Sequence, residues 1–79
     1  MILKEKTFKI IGQVMEAPID EINEDSSPDN LEKWDSFHHM SLVLALEDEF
    51  NIKFTDVEIM SLENAGIILE ALKNKGIKA

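Results

Sequence analysis

A small all-α bundle is the fold this sequence predicts, and three observations predict it. Apolar residues recur with the 3.6-residue period of an amphipathic helix in three separate stretches. Helix-capping residues stand where the later stretches begin. The chain of 79 residues also has no cysteine, so neither a disulfide nor a thiolate metal site supplements its core. The expected architecture is a small four-helix bundle, three longer helices and one short one, with a long loop between the first and second helices. One domain, spanning 1–79, is expected.

The first helix is expected over Leu3 to Met15, where Leu3, Ile10, Ile11 and Val14, widened by Phe8 and Met15, share one face. Pro18 ends it. From Glu16 to Trp34 seven acids stand against Lys33 alone, with Pro18, Pro28 and Ser26-Ser27 among them. Like-charge repulsion and broken hydrogen bonding there predict a loop, pinned to the core by Ile19, Ile22, Leu31 and Trp34. Asp35 is an N-cap, its carboxylate accepting an orphan amide, for a second helix that runs to about Phe50 before Asn51 breaks the pattern. Thr55-Asp56-Val57-Glu58 has the spacing of a capping box and starts a short helical turn through Ile59. In the last helix Ala65, Ile68, Leu69 and Leu72 repeat at helical spacing, with Asn64 as cap, Lys73 and Lys75 in the final turn and Gly76 as the stop.

Charge narrows the function classes. Sixteen acidic residues against eight basic ones give a net charge of −8, and every basic residue is lysine. A phosphate backbone or an anionic bilayer needs a clustered cationic surface, so nucleic acid and membrane partners are not expected. The fitting partner is a protein with a basic patch, met through electrostatic steering and released by salt. No apolar run reaches the roughly 20 residues of a membrane span, and the charged start Ile2-Leu3-Lys4-Glu5-Lys6 does not read as a signal peptide. A cytoplasmic monomer is the expectation.

The second helix carries two apolar stripes. Leu42, Val43, Leu46 and Phe50 lie within about 100° of arc, the width of a core-facing stripe. Phe37, Met40 and Leu44 lie within about 60° on nearly the opposite side, bordered by Ser41, Glu47 and Asp48. Either the loop or the short helix covers this second stripe, or it is a docking face for a partner met repeatedly and briefly. Ser36 follows the cap at the edge of that stripe. A phosphate ester on its side chain would lie beside free amides at the positive end of the helix dipole. Spacing alone also allows Ser36 to be the cap itself, or a tolerated first-turn residue.

The segment Trp34-Asp35-Ser36-Phe37, then Met40, then Leu42-Val43-Leu44-Ala45-Leu46-Glu47-Asp48-Glu49-Phe50 resembles the modification segment of acyl carrier proteins. In that family an Asp-Ser-Leu tripeptide opens the second helix, and a phosphopantetheinyl transferase joins 4′-phosphopantetheine from coenzyme A to the serine. The resemblance extends over essentially the whole chain and implies Ser36 as the attachment point, with Asp35 beside it as part of the cofactor site. It implies partner docking through Phe37, Met40, Leu44, Glu47 and Asp48, and no catalysis by the chain itself. Phe37 replaces the usual leucine, and His38 and Ser41 stand where carriers of fatty-acid synthesis commonly have acids. The start with His39-Met40 looks more like stand-alone carriers of specialised pathways, such as polysaccharide or secondary-metabolite loci.

Other constellations are set aside. Asp35, Ser36, His38 and His39 include the residue types of a hydrolase triad, but neighbours on one helix cannot form the required line of nucleophile, base and orienter. Asp35 and His39 share a face, yet two ligands do not make a metal site. No stretch has the ligand alternation of an EF-hand loop. His39 lies in the core-facing arc, where its imidazole should donate to a backbone carbonyl or loop carboxylate, and His38 should be solvated. Trp34 reads as the packing anchor of the loop end. The resulting expectation is a carrier of thioester-linked acyl groups between acyl-loading and acyl-using enzymes, with a fatty-acid-like or specialised pathway as its setting. Charge reversal at Glu47 and Asp48 should slow partner turnover without unfolding the domain, and an acyl chain folding back would enter between the core helices, near Met40 and Met60. The competing expectation is an acidic helical interaction module without a prosthetic group.

Overall fold

The computed structural model describes residues 2–77. Four α-helices follow one another: α1 (Ile2–Met15), α2 (Ser36–Phe50), α3 (Asp56–Ser61) and α4 (Ala65–Asn74), and among the described residues there is no strand. A 3₁₀ turn over Ile19–Glu21, which no sequence period announced, lies in the long connection between α1 and α2. Both α2 and α4 pack against α1. No helix among the described residues is long and apolar enough to cross a membrane.

The core is the meeting line of the periodic stripes. Leu3, Phe8, Ile11 and Met15 of α1 meet Leu42, Val43 and Leu46 of α2 and Ala65, Ile68, Leu69 and Leu72 of α4, all buried. Phe50 packs against this cluster half-buried, at the rim. Of the four loop residues expected as pins, Ile22 and Trp34 are buried and Leu31 is half-buried, but Ile19 is 55% exposed. Ile19 opens the 3₁₀ turn, whose three residues are all exposed, and the chain becomes extended at Ile22 (φ −93°, ψ 130°), which is the residue that enters the core.

Helix ends follow local chemistry. α1 stops before Pro18 acts: Glu16 adopts the left-handed conformation (φ 55°), and the Ala17 amide reaches back to the Gly12 carbonyl at 2.9 Å. Gly12 is needed there, since a Cβ at that position would stand 2.9 Å from the Ala17 carbonyl oxygen. Asn51 ends α2 in the left-handed region (φ 53°). Thr55 and Glu58 form the full capping box on α3, and Asn64 Oδ1 accepts the Ile67 amide at 2.8 Å to cap α4.

The long connection is tied to the far side of the bundle. The Ser26 and Glu24 carbonyls accept the Ala65 and Gly66 amides, each at 2.9 Å, so the acidic loop closes the start of α4. Ser26 is itself buried, and its hydroxyl accepts the Asn23 amide. Further short bonds, Asn30 Oδ1 accepting the Ser27 amide and the Asn30 side-chain amide donating to the Asp25 carbonyl, let a stretch rich in acids hold one shape.

Candidate functional site

Asp35 ends the connection in an extended conformation and caps α2, its Oδ1 accepting the His38 amide at 2.8 Å. His38 Nδ1 lies 2.8 Å from the same oxygen, so the ring donates to it, while the ring meets Phe37 edge to face. His38 is therefore folded back and partly covered rather than solvated. The two donors from His38, the backbone amide first, hold the Asp35 carboxyl below its ordinary range.

Ser36 is the first residue of α2 and is exposed. Asp35, not Ser36, is the cap, which leaves the serine hydroxyl free of that duty. The starts of α2 and α4 differ in one respect. The first two amides of α4 are bonded to loop carbonyls, whereas those of α2, on Ser36 and Phe37, have no hydrogen-bond partner among the described residues. These amides and the helix dipole favour negative charge beside Ser36. That environment and the exposed hydroxyl fit a phosphate ester on Ser36, with Asp35 fixing the backbone that holds it.

The second stripe is uncovered. Phe37 is 75% exposed, Leu44 61% and Met40 44%, so neither the loop nor α3 closes over them. α3 adds Val57 and Met60, both well exposed. Val57 escaped the sequence reading because α3 has only 6 residues, too few for an apolar period to show which side faces outward. Asp48 is exposed, but Glu47 is half-buried and its Oε2 accepts the Phe54 amide at 2.9 Å. Glu47 thus ties the α2–α3 connection to α2, so reversing its charge removes a hydrogen bond of the fold that Asp48 does not make.

Beside Ser36 lies an open groove of about 870 Å³, bounded by Met40 of α2, Met60 of α3 and the loop at Pro28 and Asp29. Trp34 and His39 also line it. The Trp34 indole N–H donates to His39 Nδ1 at 2.9 Å, and the rings stack with centroids 6.2 Å apart. His39 Nε2 lies 2.8 Å from the Ile59 carbonyl oxygen. Since Nδ1 accepts, Nε2 carries the proton and donates, and the imidazole bridges α2 to α3 as a neutral ring. Glu58 of α3 accepts from the Thr55 amide at 2.7 Å and from Lys75 Nζ at 2.9 Å, and the amide first, then the lysine, lower its pKa. Among the described residues no group of three or more His, Asp and Glu side chains is placed to hold a metal ion.

No family model matches the sequence. The fold is similar to that in the solution NMR structure of holo acyl carrier protein from Geobacter metallireducens, with a TM-score of 0.77 and 26% sequence identity, over 100% of this chain and 98% of that one. The chain has the acyl carrier protein fold.

Proposed function

We propose that this chain is a carrier protein with 4′-phosphopantetheine on Ser36, serving enzymes that load and use acyl groups. The observation that carries the reading is the start of α2, where an exposed serine hydroxyl stands beside two unbonded amides while the other long helix that follows a loop has its amides closed. The full-length likeness to a holo acyl carrier protein supports the same reading.

Each residue has a task. Ser36 supplies the hydroxyl that loses its proton as oxygen bonds to phosphorus and the nucleotide half of coenzyme A departs. The attached group supplies a terminal thiol on which a carboxylic acid rides as a thioester. The amides of Ser36 and Phe37 stabilise the negative charge of the diester, and Asp35 keeps the backbone in the geometry that presents them. Phe37, Met40 and Leu44 offer a small apolar face, and Asp48 at its border steers basic partners, a transferase among them. A small face rimmed by screened charge gives fast encounter and fast departure. Carriage between separate enzymes requires both. The chain's contribution is presentation, not catalysis, in a fatty-acid-like or specialised pathway.

The test is to incubate the purified protein with coenzyme A and a broad-specificity phosphopantetheinyl transferase and to weigh it. The expected result is an adduct of one phosphopantetheine that is absent in Ser36→Ala. A folded protein that stays unmodified overturns the carrier reading in favour of an interaction module that docks through the same stripe.

A further inference from the structure

The groove beside Ser36 has a floor. Trp34 and His39 line it, whereas the fully buried side chains of Leu42, Leu46 and Ile68 do not reach its surface. At the seam between α2 and α3 the imidazole is occupied on both nitrogens, by the indole N–H on one and the Ile59 carbonyl on the other. An alkyl chain has no hydrogen-bonding group to offer in exchange. Wedging it between the helices would leave a buried indole donor and a part-buried imidazole and carbonyl without these partners. Outside the seam the groove is of mixed character. Met40 and Met60 are its flexible apolar walls, with Pro28 and Leu62 adding apolar surface, while Ser27, Asp29, Glu63 and Asn64 make other parts of the rim polar.

We propose that the Trp34–His39–Ile59 bridge seals the bundle against its own cargo, so that an acyl group carried from Ser36 stays outside in the groove, and that the cargo is therefore a short or polar acyl group rather than a long alkyl chain. His39 is on this account a specificity-determining residue, acting through closure and not through contact with the attachment chemistry. The proposal rests on the carrier reading of Ser36.

The experiment uses the whole chain loaded by the transferase with acetyl- or octanoyl-phosphopantetheine. Two readouts are taken: the rate at which hydroxylamine cleaves each thioester, and nuclear Overhauser contacts between the octanoyl chain and the methyl groups of Leu46 and Ile68, which are fully buried and do not line the groove. In the wild-type protein the two thioesters should be cleaved within about twofold of each other, with no such contacts, because a chain outside the bundle gains no protection from water-borne reagents. His39→Ala should open the seam and slow cleavage of the octanoyl thioester by about fivefold or more, whereas His39→Gln, which keeps an acceptor and a donor, should behave as wild type. Octanoyl protection or core contacts in the wild-type protein overturn the proposal. So does a folded His39→Ala variant that protects no better than wild type, because the seal would then lie elsewhere. If circular dichroism shows His39→Ala unfolded, the wild-type readouts decide alone. Failure of the transferase to load any group would instead overturn the carrier reading itself.

Discussion

Removing the imidazole that joins α2 to α3 gives the sharpest energetic test of the architecture. His39→Leu keeps an apolar body in the core-facing arc but leaves the Trp34 indole N–H and the Ile59 carbonyl without their partners. Trp34 is 3% exposed, so its orphaned donor carries most of a desolvation penalty of about 1–3 kcal/mol, and the half-buried carbonyl adds less. A net loss of about 2 kcal/mol is expected after the apolar gain of leucine, which for a domain of this size lowers the melting temperature by about 8–16 °C. Trp34→Phe, which deletes the same donor from the other side, should cost about 1–2 kcal/mol through the lost bond and lost ring volume. With both changes the orphaned indole no longer exists, so the double variant should be more stable than the sum of the singles by about 1 kcal/mol. Thermal unfolding followed by circular dichroism, with the four proteins in one buffer, measures the cycle. Strict additivity, or a His39→Leu protein as stable as wild type, would refute the bridge as a joint between the helices.

Further outcomes follow from other contacts. Asp48→Lys should leave the urea midpoint unchanged, whereas Glu47→Lys should lower stability by about 1–2 kcal/mol because the Phe54 amide loses its acceptor. Gly12→Ala should destabilise by about 1–2 kcal/mol despite the better helix propensity of alanine, since the new Cβ would press on the Ala17 carbonyl; a gain in melting temperature would contradict this. Asp35 and Glu58 titrate below the ordinary carboxyl range when folded, so their stabilisation is complete at neutral pH and is lost as pH falls through those lowered values. Asp35→Asn, still a good cap, should accordingly show a shallower acid-side drop in melting temperature than wild type.

Where the determinants are local, the chain announces them. Asp35, Thr55 with Glu58, and Asn64 cap helices because their oxygens reach amides three residues on, and Asn51 and Gly76 stop helices because they tolerate a left-handed backbone. The two stripes of α2 likewise follow from angle alone, and Ser36 from its place after the cap. The missing features all depend on what folding brings near. No period shows that Ser26 and Glu24 would hand their carbonyls to α4, that Glu47 would turn to the Phe54 amide, or that Ile19 would face out. His38 illustrates the boundary: its helical phase pointed to water, but a cap oxygen one turn back was the stronger attraction. His39 shows the reverse, because its phase predicted a covered imidazole with a carbonyl partner, while the identity of that carbonyl and the indole on the other nitrogen emerged only from the packing.

The two carbonyls that the acidic connection gives to α4 divide it into short spans on either side of Glu24 and Ser26. Closure entropy grows with the span left free, so each part fluctuates as a brief turn would, not as one slack tether. The stretch leading to Trp34 and Ser36 is thus moored to the helix at the opposite end of the sequence. Disturbing the start of α4, for instance by crowding Gly66 against the Glu24 carbonyl 3.2 Å from where a Cβ would sit, should be felt at Ser36.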